Sequence, residues 1–158
     1  VTLQELATRI AHRNTGRLLG DEPGAAITAR VAADENLHFL FYRDLAAAAI
    51  DVDPSEMVKG VDREVRNFEM PGTGIAGFAA HASAIAGAGI YDFSIHYDQI
   101  LVPVVFRAWQ IDQLTGLDSE AEASRDRLMA YLKRVKRVAE RQADQRAADA
   151  QRGLARLG

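Results

Sequence analysis

Apolar residues recur at three- and four-residue spacing along almost the whole chain, and alternating polar–apolar runs are hard to find. That one period, close to 3.6 residues, points to helices and leaves little from which to build a sheet. Turn residues then divide the chain. A first helix is expected from Thr2 to about Leu19, stopping at Gly20-Asp21-Glu22-Pro23. A second spans roughly Gly24 to Ile50, about 27 residues or ~40 Å. Asp53-Pro54-Ser55-Glu56 restarts the helical pattern, with Asp53 as N-cap, Pro54 at the first helical position and Glu56 closing a capping box. This third helix runs to about Met70. After Pro71-Gly72-Thr73-Gly74 comes a small-residue helix, Ile75 to Gly89. Asp92 caps the next, which reaches Asp112 and is expected to bend at Pro103. Leu114 to Asp118 form a turn and N-cap, and residues 119–158 read as a polar C-terminal helix with a frayed tail beyond about Gly153. Long helices joined by short loops lie antiparallel, so the expected architecture is all-α, a helical bundle in a single domain over residues 1–158.

The chain has 158 residues and no cysteine. Disulfides, thiolate metal sites, iron–sulfur clusters and cysteine nucleophiles are therefore excluded, and any metal must be held by carboxylates and imidazoles. The apolar stretches fall short of the roughly 18–20 residues a membrane span requires, and no basic-then-apolar signal opens the chain. A cytoplasmic location is the expectation. Val1 leads straight into helical periodicity with neither a methionine nor a capping residue, so we expect a fragment, the C-terminal half of a longer protein. Residues 1–118 carry 9 basic and 16 acidic side chains, and residues 119–158 carry 10 and 6. The basic end is mixed with acids and poor in aromatics, so a nucleic-acid partner is not expected.

Chemistry concentrates in Ala33-Asp34-Glu35-Asn36-Leu37-His38. Glu35 and His38 are three apart, on neighbouring turns of one helix face, and Ile27, Val31, Tyr42 and Leu45 fall on the same arc. A carboxylate and an imidazole within an apolar stripe need a reason for burial, and metal ligation supplies one. A surface pair, or a histidine bonded to a nearby carbonyl, is the plainer alternative. On the first helix, Glu5, Thr8, His12 and Thr15 form a second polar stripe. Glu5 can face Glu35 as another carboxylate ligand, with the Thr8 hydroxyl one turn on; equally, the stripe can face solvent beside Arg9, Arg13 and Arg17.

Three blocks, QELATRIAHRNTGR, AADENLHFLFYRDL and FRAWQIDQLTGLD, resemble in order and spacing those of the soluble acyl-acyl-carrier-protein desaturases, over most of residues 2–140. The likeness is nearest to the actinobacterial branch. It implies a ferritin-like helical bundle whose two iron ions are bound by one Glu and one Glu-x-x-His from each half. The second half of that set maps onto Glu5, Glu35 and His38. The resemblance makes Thr8 the hydroxyl beside the oxygen-binding face, and Asp34 a carboxylate orienting an iron-bound histidine. It further implies O₂-dependent desaturation of an acyl chain carried on acyl carrier protein, a ferredoxin-type electron donor and a homodimer. Phe39, Phe41, Phe68, Met70 and Phe78 become candidates to line an acyl tunnel. One departure stands out. His12, His81 and His96 follow Arg9, Phe78 and Phe93 at the ligand spacing, so no second Glu-x-x-His exists here. The missing ligands either lie upstream or come from a second copy. Two rivals remain: another ferritin-like di-iron oxidase or iron-binding protein, and a non-catalytic helical interaction module.

Gly72-Thr73-Gly74-Ile75-Ala76-Gly77 matches a dinucleotide-binding pattern in letters only, since no buried strand precedes it. His81 and His96 read as packing or surface histidines and Trp109 as core. Lys133, Arg134, Lys136 and Arg137, like the arginine row of the first helix, can meet an acidic carrier protein or simply line a solvated face.

Overall fold

The structure, a computed structural model, describes residues 1–70 and 73–155 and, in the last helix, every side chain except those of residues 146, 149, 150 and 153–155. Among the described residues all regular structure is helical. The helices are α1 (Thr2–Leu18), α2 (Glu22–Val52), α3 (Pro54–Arg66), α4 (Phe78–Gly87), α5 (Phe93–His96), a π-helix (Tyr97–Ala108), a 3₁₀ turn (Ile111–Gln113) and α6 (Ser119–Ala155). The all-α expectation holds.

Helix α1 begins with no side-chain cap, as its sequence implied. Its apolar edge, Leu3, Leu6 and Ala7, is buried. Helix α2 starts two residues earlier than Gly24 because the Asp21 carboxylate accepts the Gly24 N–H at 2.6 Å, and Pro23 fits the first turn. A loop of three residues joins the two helices. Gly16 lies against Thr28 at one end, and Glu5 reaches His38 at the other, so the pair runs antiparallel.

Helix α3 opens on the expected cap, Asp53 accepting from Glu56 N–H. It ends at Arg66 and not near Met70. The Asn67 N–H still bonds back to Arg63, and the chain then turns. The small-residue helix is also shorter than expected, Phe78–Gly87, because Gly77 sits at φ 78° and breaks the pattern before it. Residues 73–77 are turn structure with no strand leading in, which removes the dinucleotide reading; Pro71 and Gly72 lie outside the described residues.

The largest local departure surrounds Pro103. In place of a bent α-helix, Tyr97–Ala108 winds as a π-helix, and the Trp109 N–H reaches back five residues to the Val104 carbonyl. Proline lacks an N–H and its ring crowds the carbonyl one turn back, and a wider turn relieves the crowding. The helix therefore stops at Ala108, short of Asp112. Gln110 then takes a left-handed conformation, φ 47°, ahead of the 3₁₀ turn. The Asp118 carboxylate accepts the Ala121 N–H at 2.8 Å and caps α6. That helix runs unbroken to Ala155, further than the fraying expected at Gly153.

The core joins Leu6 of α1, Phe39 and Ile50 of α2, Val58 and Val65 of α3, Ile100, Leu101, Val104 and Val105 of the π-helix, and Leu128 and Leu132 of α6. At its α3–α6 seam, the Asp62 carboxylate is only 3% exposed and pairs with Arg66 at 2.7 Å and Arg127 at 3.3 Å. Lys59 pairs with Glu56 on its own helix and with Asp118 across the same seam.

Helix α2 is only partly covered. It is apolar nearly all round, yet Ala32, Phe39 and Ile50 are its only buried side chains among the described residues. Ile27, Leu37, Phe41 and Leu45 are 55–65% exposed. The sequence reading placed Ile27 and Leu45 on an inward stripe, and this is corrected. A helix apolar on every side needs neighbours on every side, and α1 covers only one.

Candidate metal centre

Glu5 is placed by the first turns of α1, whose Leu3, Leu6 and Ala7 fix the helix against the core. Glu35 and His38 lie on consecutive turns of α2, and the antiparallel register brings them opposite Glu5. The His38 Nδ1 atom lies 3.3 Å from Glu5 Oε2 and 3.4 Å from Glu35 Oε2. One donor atom from each of the three residues lies within 4.8 Å of the other two. The burial expected of them is corrected in part: the carboxylates are about one-fifth exposed, but the His38 side chain is 58% exposed. It lies on the uncovered side of α2, together with Leu37 and Phe41.

The electrostatics of the cluster are those of two acids competing for one space. The Glu5 carboxyl is pushed above the usual carboxylate range, chiefly by its hydrogen bond with Glu35, then by partial burial and the Glu35 charge, while His38 pulls the other way. Two crowded carboxylates beside an imidazole suit a cation, which converts their repulsion into two attractions. The donor types also fit: carboxylate oxygen and imidazole nitrogen both suit first-row ions such as iron. Donors bound at ~2.0–2.2 Å to one ion lie no more than about 4.4 Å apart. Small rotamer shifts therefore bring the trio into range.

The other two predicted residues sit less suggestively. The Thr8 hydroxyl lies one turn from Glu5 but donates to the Gln4 and Glu5 carbonyls, at 3.0 and 3.1 Å. Asp34 is 44% exposed and pairs with Arg30 one turn back, with its oxygens 3.1 and 3.2 Å from the guanidinium. The ion pairs of His38 run to Glu5 and Glu35 instead. Nor do the five aromatic and methionine positions proposed for a tunnel converge. Phe39 is core, Phe41 is exposed, and Phe68, Met70 and Phe78 line a separate cavity lacking any α1 or α2 residue.

Sequence reasoning missed one constellation. Tyr91 Oη and His96 Nδ1 are 2.7 Å apart, and the His96 ring packs on Phe68 with centroids 4.7 Å apart. Burial drives the His96 pKa down to about 4, so the imidazole is neutral at pH 7. The available signal was Asp92, whose cap on Ile95 N–H fixes the turn presenting both rings.

A family described as fatty acid desaturase matches residues 1–155, and the chain belongs to that family. Relatives share the acyl-carrier-protein name. A Mycobacterium tuberculosis protein named as acyl-[acyl-carrier-protein] desaturase DesA1 is 40% identical over 133 residues, covering 84% of this chain and 39% of the relative. The chloroplastic acyl-[acyl-carrier-protein] desaturase 6 of Oryza sativa subsp. japonica is 32% identical over 162 residues, covering 94% and 38%. A chloroplastic stearoyl-[acyl-carrier-protein] 9-desaturase of Gossypium hirsutum is 31% identical over 150 residues, covering 89% and 37%. The chain thus spans about two-fifths of the length of these curated relatives. No described helix is long and apolar enough to cross a membrane.

Proposed function

We propose that this chain is one helical unit, the C-terminal part of an acyl-acyl-carrier-protein desaturase, and supplies Glu5, Glu35 and His38 to a site for two iron ions. The observation that carries the reading is the meeting of those three donors across the antiparallel α1–α2 pair. In the complete protein a saturated carbon–carbon bond of the carrier-bound acyl chain loses two hydrogens. Those two hydrogens, one O₂, two electrons from a ferredoxin-type donor and two protons leave together as two waters. Bound iron supplies the activation of O₂. The residues of this chain do the rest of their part by position. Glu5 and Glu35 balance cationic charge, and His38 presents its Nδ1 toward both carboxylates. Thr8 keeps a hydroxyl proton one turn from Glu5. Asp34, now tied to Arg30, is available to orient a histidine contributed from elsewhere in the protein.

Three donors do not complete the shell of two ions. A second carboxylate and a second Glu-x-x-His are expected in the remainder of the protein, seated on the open α2 face at Ile27, Leu37, Phe41 and Leu45. The expected assembly is a cytoplasmic homodimer. Anaerobic Fe²⁺ titration of the 158-residue chain tests the half-site. One ion should bind, and Glu35→Gln or His38→Ala should weaken it at least tenfold. The full-length protein, given acyl carrier protein bearing a saturated chain, O₂ and reduced ferredoxin, should form the olefin. Iron without olefin would favour a ferritin-like iron protein; no saturable iron in either form would favour a non-catalytic helical module.

A further inference from the structure

Four exposed side chains of α2 are spaced evenly about one level of the helix. Ile27 and Leu45, 65% and 55% exposed, stand 18 residues apart, five full turns, and so share a face. Asp34 and His38, 44% and 58% exposed, stand one turn apart on the same side. Both pairs have their midpoint at Asn36. A twofold axis crossing α2 at that level lays an antiparallel copy of the helix along it, in the isologous pairing of a symmetric dimer. Ile27 then meets the partner's Leu45, Leu45 meets the partner's Ile27, and Asp34 meets the partner's His38.

The same axis doubles the donor set. Glu35 and His38 lie within two residues of Asn36, ~3 Å along the helix, so the two trios come to one level. Together they offer four carboxylates and two imidazoles, and two Fe²⁺ ions balance the four negative charges. His38 turns Nδ1 toward its own acids, which leaves Nε2 as the nitrogen for the partner's Asp34 to orient. Asp34 must leave Arg30, but an ion pair this exposed contributes little. We propose that two copies of the 158-residue chain pair across the open α2 face about this axis and hold the iron pair jointly. This pairing, which rests on the metal reading proposed above, uses the face assigned there to the remainder of the protein. In a chain without that remainder, the second copy takes its place.

Sedimentation equilibrium of the 158-residue chain, metal-free and with anaerobic Fe²⁺, tests the pairing. Iron should tighten the dimer at least tenfold, at one ion per chain, because an ion sharing donors from both copies binds the pair more tightly than the monomer. Glu35→Gln should remove that gain. Ile27→Lys and Leu45→Glu should each weaken the iron-loaded dimer at least tenfold, since each buries a lone charge in the interface. Both positions are exposed in the single chain, so neither change disturbs its core. The double variant should recover most of the loss, the new ammonium of one copy meeting the new carboxylate of the other. Within one chain the two positions are ~27 Å apart and cannot pair, so recovery reports this register alone. A monomer that binds one iron overturns the pairing and leaves the half-site standing. A dimer that takes up no iron overturns the shared centre and counts against the metal reading as well. Dimerisation untouched by both single variants, or a double variant no better than either, means that the copies meet elsewhere or in another register, and overturns the proposal.

Discussion

Acid should destabilise this chain through His96, and by a predictable amount. In the folded chain its pKa is lowered to about 4 by burial, against an ordinary value of 6.5. A base with a lowered folded-state pKa binds protons more tightly when unfolded. Its contribution to stability is thus whole above about pH 6.5, erodes as pH falls, and is gone below about pH 4. At pH 5 the unfolded histidine is almost fully protonated and the folded one only about one-tenth so, a difference of roughly 2 kcal/mol, rising to roughly 3 kcal/mol below pH 4. Urea unfolding at pH 7.5 and 5.0, compared between the unmodified chain and His96→Phe, isolates this contribution. The variant loses the Tyr91 bond at both pH values, about 1 kcal/mol, and keeps every other titrating group, including the raised Glu5. The unmodified chain should therefore lose roughly 2 kcal/mol more than the variant between the two conditions. Equal losses would show that His96 charges freely in the folded state and that its burial has been misread.

Three further outcomes follow from the packing. Asp62→Ala removes the acid between Arg66 and Arg127 and should lower stability in urea by about 2–4 kcal/mol, toward the low side because both arginines reach solvent. Gly77→Ala forces a side chain into φ 78° and should lower stability by about 1–2 kcal/mol, read in the same assay. Asp118→Ala removes the cap of α6 and should lower Tm at neutral pH. The N–H of Ala121 holds the Asp118 carboxyl below its usual range, so that gap should persist into mild acid and close only as the pH falls through this lowered value.

The helices were legible in the sequence because their signals are local: the caps at Asp53, Asp92 and Asp118 and the break at Gly20 to Pro23 act within a few residues. Errors arose where a nonlocal or subtler choice intervened. The end of α3 at Arg66 and the start of α4 at Phe78 turn on residues that are compatible with helix in isolation. The π-helix answers a proline in a way that periodicity alone cannot express. At the candidate site, three-residue spacing identified Glu35 and His38, and the antiparallel loop placed Glu5 opposite. Their depth was misjudged, because apolar residues on an arc of α2 say that something covers it without saying what. Tyr91 and His96 were passed over since neither belongs to a spaced motif; only packing against Phe68 joins them.

The two ways in which this chain winds differ in their tolerance of length changes. Deleting one residue inside α2, between Thr28 and Glu35, would swing the carboxylate and imidazole about 100° away from Glu5, because an α-helix advances by that angle per residue. The Tyr97–Ala108 segment can instead tighten a five-residue step into a four-residue one. A one-residue deletion should therefore be absorbed near Pro103, leaving Trp109 in place and its indole N–H still on the Arg43 carbonyl of α2.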